Sequence, residues 1–205
     1  MVGQAIVWFV LFAIAFLVGS IPFGVILGRL FYRSDLRQSG SGNIGAANAL
    51  RSYGAAAGVI VLLLDALKGF APTFVALWYL PLPISHDAII AVGAVLGHCY
   101  SPWLQFRGGK GVATWLGAMF GLSWIAGIIF VILWLIIVVP TRYASLGSIV
   151  ASLMSTMVLW FLSHDAVVTG CAGVIALLII WKHRENIVRL REGRENKITF
   201  GKASA

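Results

Sequence analysis

Charge is scarce in this sequence: of 205 residues only 11% are charged, while 60% are hydrophobic and the mean hydropathy is +0.95. A soluble domain could not keep so much apolar surface in solution with so few charges, so a soluble fold is excluded and the bilayer is the solvent. Acidic residues number seven, and Asp35, Glu185, Glu192 and Glu195, all predicted on one side, form no obvious cluster. Metal-dependent phosphotransfer needs grouped carboxylates, so no metal is expected. Cysteine is limited to Cys99 and Cys171, in apolar stretches and without ligand spacing, which leaves neither a disulfide framework nor a zinc site. No Lys or Arg precedes Arg29. Without a basic n-region, and with an apolar run from Ile6 to Phe31 too long for an h-region, the N-terminal segment reads as a spanning helix bent near Ser20–Pro22, not a cleavable signal. Alternating, strand-length segments are missing too. Backbone polar groups in lipid are satisfied only by helices or a closed barrel, and these continuous runs choose helices. No internal repeat or low-complexity linker is evident, so residues 1–205 are expected to form a single integral-membrane domain.

The charge that is present is mostly basic, 15 Lys and Arg for a net +8, and it gathers in a few loops. In a soluble protein this would suggest nucleic acid; here it is the positive-inside bias, and no nucleic-acid partner is expected. Arg29, Arg33, Arg37 and Arg51 flank the first polar stretch, which places it in the cytoplasm and the N-terminus outside. A second span runs from about Ala55 to Leu80, ending at Pro81–Pro83, and a third from about Asp87 to Leu104. Arg107 and Lys110 follow, again inside, and Ser85–Asp87 and Ser163–Asp165 carry no Lys or Arg, as outer loops should. If Val112–Val139 were one helix, Arg142 and the basic run from Lys182 to Lys202 would fall outside. A break at Gly121–Ser123 restores the parity. The expected fold is therefore an all-α polytopic membrane protein with seven transmembrane helices and a cytoplasmic C-terminus. One of them, Val112–Phe120, is a third to a half of the usual ~20-residue span, so it is short or re-entrant, with its N-terminus aimed at the cytoplasm.

Three polar segments then share the cytoplasmic face. In the first, Ser41, Gly42, Asn43, Gly45 and Asn48 precede Arg51. Glycines let successive N–H groups turn inward on an anion while Ser and Asn add neutral donors; the same composition also suits a flexible loop with Asn48 or Ser52 near a helix N-cap. The second runs from His98 to Thr114, where Arg107, Gly108, Gly109, Lys110 and Gly111 lead directly into the short helix. A helix N-terminus behind a glycine-ringed lysine favours phosphate over a mere positive-inside cluster. The spacing is not that of a Walker A loop, since Gly111 and not Ser or Thr follows Lys110. The third, Lys182–Glu195, reads as an amphipathic helix with His183, Asn186 and Ile187 on one face, which a surface helix on anionic lipid would also explain. Inside the second span Asp65 and Lys68 stand at i, i+3; they read chiefly as an internal pair that holds the helix in place, with direct substrate contact as the second reading.

Taken together, Ser41–Arg51 (SGNIGAANALR), Gly97–Thr114 (GHCYSPWLQFRGGKGVAT) and Lys182–Glu195 (KHRENIVRLREGRE), with the DALKG at Asp65–Gly69, resemble the PlsY family of bacterial acyl-phosphate:glycerol-3-phosphate acyltransferases. Order, spacing and intervening spans agree over nearly the whole chain. The resemblance implies transfer of a fatty acyl group from acyl-phosphate to the 1-hydroxyl of glycerol 3-phosphate. The products would be lysophosphatidic acid and phosphate, at the first step of phospholipid synthesis, without acyl-CoA and without a cofactor. It implies a seven-helix fold in the bacterial cytoplasmic membrane, a site facing the cytoplasm, and an upstream acyl-phosphate-producing enzyme as a candidate partner. Catalytic roles carry over by motif match to Ser41, Arg51, Lys110, His183 and Asn186. Gly42, Asn43, Gly45, Asn48, Lys68, His98, Arg107, Gly108, Gly109, Gly111 and Thr114 are the expected substrate and phosphate contacts.

The residues suit that chemistry. Both substrates are phosphate-bearing anions, so a site must neutralise two phosphates before a hydroxyl reaches the acyl carbon. The expectation is that Ser41 and Asn186 donate to a phosphate or oxyanion and that His183 orients or neutralises a phosphate, with the general base left open. A transporter of a phosphorylated solute is the alternative, but transport sites lie near mid-membrane between repeats. No HxxxxD follows any histidine, and the two Ser-His-Asp strings are neighbours in sequence, not a triad converging in space.

Overall fold

The computed structural model describes residues 2–80 and 83–198. The expected end of the second span at Pro81 and Leu82, and the last residues of the basic tail, 199–202, lie outside the described residues. Ten α-helices follow one another: α1 Val2–Gly19, α2 Phe23–Phe31, α3 Ala46–Tyr53, α4 Ala55–Tyr79, α5 Ile84–Cys99, α6 Val112–Leu122, α7 Trp124–Thr141, α8 Ala144–Ser163, α9 Ala166–Lys182 and α10 Arg184–Arg191; no strand occurs among the described residues. Among the described residues four stretches are long and apolar enough to cross a membrane: Ile6–Phe31, Ala55–Tyr79, Trp124–Thr141 and Ala144–Ser163. α9 with α10, bent by 58° at His183, makes a fifth, while α5 and α6 have only 16 and 11 residues.

The expected bend in the first span is an opening of the helix between Gly19 and Phe23. Pro22 has no N–H to continue the ladder, and the Ser20 and Ile21 carbonyls at the opening take side-chain donors from other elements. Ser101 Oγ donates to the Ser20 carbonyl at 2.6 Å, and Lys68 Nζ to the Ile21 carbonyl at 2.8 Å. Trp103 Nε1 donates to Ser20 Oγ at 2.8 Å. Lys68 also pairs with Asp65 at 2.8 Å, so this buried charge has a carboxylate partner and a backbone acceptor.

The break between α6 and α7 falls at Ser123, whose extended backbone ends one helix and whose Oγ accepts the Ala126 N–H as N-cap of the next. The chain turns back there, because Leu116 of α6 and Trp134 of α7 line the same cavity, which a continuous helix could not allow. With 11 residues, α6 is about 16 Å long. It lies against α4 with backbones nearly touching: a Cβ on Gly69 would collide with the Thr114 carbonyl, and one on Gly117 with the Ala66 carbonyl. Buried Trp115, Met119, Phe130, Ile175 and Ile179 form the main core where α5 to α9 meet, and Trp115 Nε1 is satisfied by Ser155 Oγ at 3.0 Å.

Candidate active site

A cavity of about 320 Å³ opens where the three polar segments meet. The first segment is folded by Asn48, which is 2% exposed in α3. Its Nδ2 donates to the carbonyls of Leu36, Ser39 and Asn43 at 3.0, 2.9 and 2.8 Å, and its Oδ1 accepts the Ser41 N–H at 2.8 Å. Asn43 Oδ1 in turn accepts the Gly45 N–H at 3.0 Å, an Asx turn leading into α3. Asn48 therefore borders the cavity with its polar atoms committed to the loop. Ser41 stays exposed beside it, with Arg51 in the last turn of α3 on the same rim.

The second segment folds back on the end of α5. Gly108 N–H donates to the Cys99 carbonyl at 3.2 Å and Gly109 N–H to the His98 carbonyl at 3.0 Å. These two N–H groups are therefore spent on the scaffold and do not turn on an anion as the glycine pattern suggested. Both glycines serve close approach instead, since a Cβ on Gly109 would strike the His98 ring. Gly111 takes φ +87, open to glycine at little cost, and turns the chain into α6, so that Gly111, Val112 and Ala113 border the cavity at the helix start.

Lys110 donates from Nζ to Asn186 Oδ1. Asn186 Nδ2 donates to Glu195 Oε1 at 2.6 Å. Glu195 also accepts Ser145 Oγ at 2.8 Å and Arg189 Nε at 2.8 Å. One carboxylate thus joins α8, α10 and the segment after α10, and through Asn186 it fixes Lys110. Burial would raise the Glu195 pKa, but the donors from Asn186, Arg189 and Ser145 outweigh it and hold the group below its ordinary value. Burial pushes the Lys110 ammonium down to about 8, against an opposing pull from Glu195. His183, 3% exposed, lies at the α9–α10 bend with its Nδ1 2.7 Å from the Ile179 carbonyl. That contact requires the proton on Nδ1 and leaves Nε2 as an acceptor. Burial, with Lys110 adding to it, lowers its pKa to about 4, so the imidazole is neutral at pH 7.

Away from these groups the cavity wall is apolar: Leu62 of α4, Leu116 of α6, and Phe130, Val131, Trp134 and Leu135 of α7. Phe130 is 2% exposed, whereas Leu62 and Leu135 are 40% and 44% exposed on the outer surface. The site is thus polar and cationic at one end and apolar along one side.

Ser41, Asn43, Gly45, Asn48, Arg51, His98, Lys110, Gly111, His183 and Asn186 share this cavity. Gly42, Lys68, Arg107, Gly108, Gly109 and Thr114 do not line it. Arg107 is exposed on the loop surface, Thr114 is buried against α4, and Lys68 closes the break in the first span. His98 lines the cavity with Nδ1 3.7 Å from Asp65 Oδ1, while Gly109 packs on its ring. Ser145, Ser148, Arg189, Glu195 and Asn196 also line it and were not singled out as site residues from sequence. Glu195 closes the third motif, but no spacing announced that α8 would bring Ser145 to it. Among the described residues no group of His, Cys, Asp or Glu could hold a metal ion.

A family profile described as glycerol-3-phosphate acyltransferase matches residues 9–193. A glycerol-3-phosphate acyltransferase of Rhodopseudomonas palustris (strain HaA2) is 45% identical over 185 residues, covering 90% of this chain and 92% of its own. That of Thermotoga petrophila is 43% identical over 197 residues, covering 95% and 98%. Among solved structures, the crystal structure of PlsY (YgiH), an integral membrane glycerol 3-phosphate acyltransferase, in its glycerol 3-phosphate form has a TM-score of 0.89 at 40% identity, covering 94% of this chain and 96% of that one. The lysophosphatidic acid form gives 0.86 at 38%, covering 94% and 95%.

Proposed function

The chain belongs to the glycerol-3-phosphate acyltransferase family, and on that premise we propose that it transfers a fatty acyl group from acyl-phosphate to the 1-hydroxyl of glycerol 3-phosphate. It is an all-helical integral membrane acyltransferase acting at the glycerol-3-phosphate acylation step of phospholipid synthesis. The observation that carries the reading is the single cavity that joins Arg51, Lys110 and Arg189 to the apolar wall from Leu62 to Leu135, room for phosphates at one end and an acyl chain along the side.

Ser41, Arg51, Lys110 and Asn186 bind and orient phosphate, each charge-assisted bond contributing roughly 1.5–3 kcal/mol. The C1 hydroxyl oxygen attacks the acyl carbon, the acyl C–O bond to phosphate breaks, and phosphate leaves with that electron pair. Acyl-phosphate is already activated, so approximation can remove about 7–11 kcal/mol of the barrier without an acyl-enzyme. His183 Nε2 accepts the hydroxyl hydrogen bond and aligns the nucleophile. A substrate phosphate oxygen, with a second pKa of about 6, takes the proton. The Nδ1 contact with the Ile179 carbonyl fixes the ring in this orientation.

The same proposal includes seven crossings, the N-terminus outside and the C-terminus in the cytoplasm. It also makes residues 1–205 one domain of the bacterial inner membrane, with the cavity facing the cytoplasm and receiving substrate from an acyl-phosphate-producing enzyme. Support comes from the short α6 and from Arg51, Lys110 and His183 gathering at one cavity. A transporter is not favoured, because the polar side chains collect around this cavity and no repeat is evident. The test is to give purified protein radiolabelled glycerol 3-phosphate with acyl-phosphate or with acyl-CoA. Label should move into lysophosphatidic acid with acyl-phosphate alone; no lysolipid with either donor would refute the activity, and lysolipid from acyl-CoA would refute the donor.

A further inference from the structure

Lys182 precedes His183 and does not line the cavity, yet it is bonded to the end of α5, on which the loop carrying Lys110 folds back. Its Nζ donates to the Cys99 carbonyl at 2.8 Å and lies 4.4 Å from the centre of the Tyr100 ring. The same Cys99 carbonyl accepts the Gly108 N–H at 3.2 Å. One buried oxygen therefore ties together the last residue of α5, the last residue of α9 and the glycine-rich loop.

Both sides of the Lys110–Asn186 contact start from this point. Along the chain, Lys182 leads through His183 and the 58° bend into α10, which sets Asn186. Through space, its ammonium secures the carbonyl on which Gly108 hangs, two residues before Lys110. A cation at the C-terminal carbonyls of a helix is favoured by the helix dipole, and the ring face adds a cation–π contact. A juxtamembrane lysine serving only the positive-inside bias would extend to water or lipid phosphate. Lys182 instead turns inward on the Cys99 carbonyl and the Tyr100 ring and is half-buried.

We infer that Lys182 is a positioning residue, which sets the distance between Lys110 and the His183–Asn186 bend by clamping the glycine-rich loop to the end of α9. The inference rests on the acyltransferase reading. In Lys182→Met the stem remains and the donor is lost; in Lys182→Arg a cation able to meet both carbonyl and ring is kept. At equal amounts of monodisperse protein, Lys182→Met should lose about 10- to 100-fold in kcat, the scale of a misplaced reacting group, while Lys182→Arg recovers most of it. The alkaline limb of kcat/KM should also move upward in Lys182→Met, because a released loop lets Lys110 reach water. Parent kcat and limb in Lys182→Met, or equal loss in Lys182→Arg, overturns the role. If Lys182→Met does not fold, Lys182→Leu, which also removes the donor, is held to the same two readouts, with loss and an upward limb supporting the role and parent values overturning it. Failure of the parent itself to make lysolipid would instead overturn the acyltransferase reading.

Discussion

Lys110 carries a charge that depends on pH near neutrality, because burial lowers its pKa to about 8. The ammonium is present below that value and lost above it, so phosphate binding weakens on the alkaline side. kcat/KM, which reports free-enzyme groups, should show an alkaline limb near pH 8. Lys110→Arg should displace the limb upward, since guanidinium does not discharge in this range; an unmoved limb would assign it elsewhere. Glu195 makes a different prediction. Removing it leaves Arg189, Asn186 and Ser145 without their shared acceptor, so Glu195→Ala should destabilise the protein by about 3–5 kcal/mol, seen as a lowered Tm. At this scale the sequence revealed the residues that face an anion, because Ser, Arg, Lys, His and Asn cluster in three segments. It concealed which polar atoms are spent internally. Asn48 has the composition of a ligand and the bonds of a hub, and the Gly108 and Gly109 N–H groups are consumed by α5.

Among the elements, α6 was legible through charge parity and not through hydropathy, since 11 residues make a poor span by length. Its partner surface was not legible. Gly69 and Gly117 show what the sequence withheld: nothing in their spacing says that α4 and α6 approach to backbone contact. Gly117→Leu should separate the two helices, because its Cβ meets the Ala66 carbonyl, a rigid group that cannot rotate aside. The measurable result is loss of the monodisperse folded species in detergent. The α1–α2 opening was visible at Pro22, but its three donors from α4 and the loop after α5 depend on tertiary contact.

For the whole molecule, hydropathy and length find four or five crossings where charge placement calls for seven. The difference is α5 and α6, short helices shielded by neighbours. Cysteine introduced at Arg107 or Arg191 should react with a membrane-impermeant thiol reagent only from the cytoplasmic side, and cysteine at His164 only from the opposite side, in a background lacking Cys99 and Cys171. Labelling of Arg107 and His164 from the same side would break the seven-crossing arrangement.

The opened first span also bears on biogenesis. The Ile21 and Ser20 carbonyls take donors 47 and 81 residues downstream, so they are synthesised before Lys68 and Ser101 exist. Until the later helices arrive, the Ser20 carbonyl must be sheltered by the insertion machinery, because a bare carbonyl in hydrocarbon costs several kcal/mol. The opening is thereby completed only once α4 and the loop after α5 have been delivered to it.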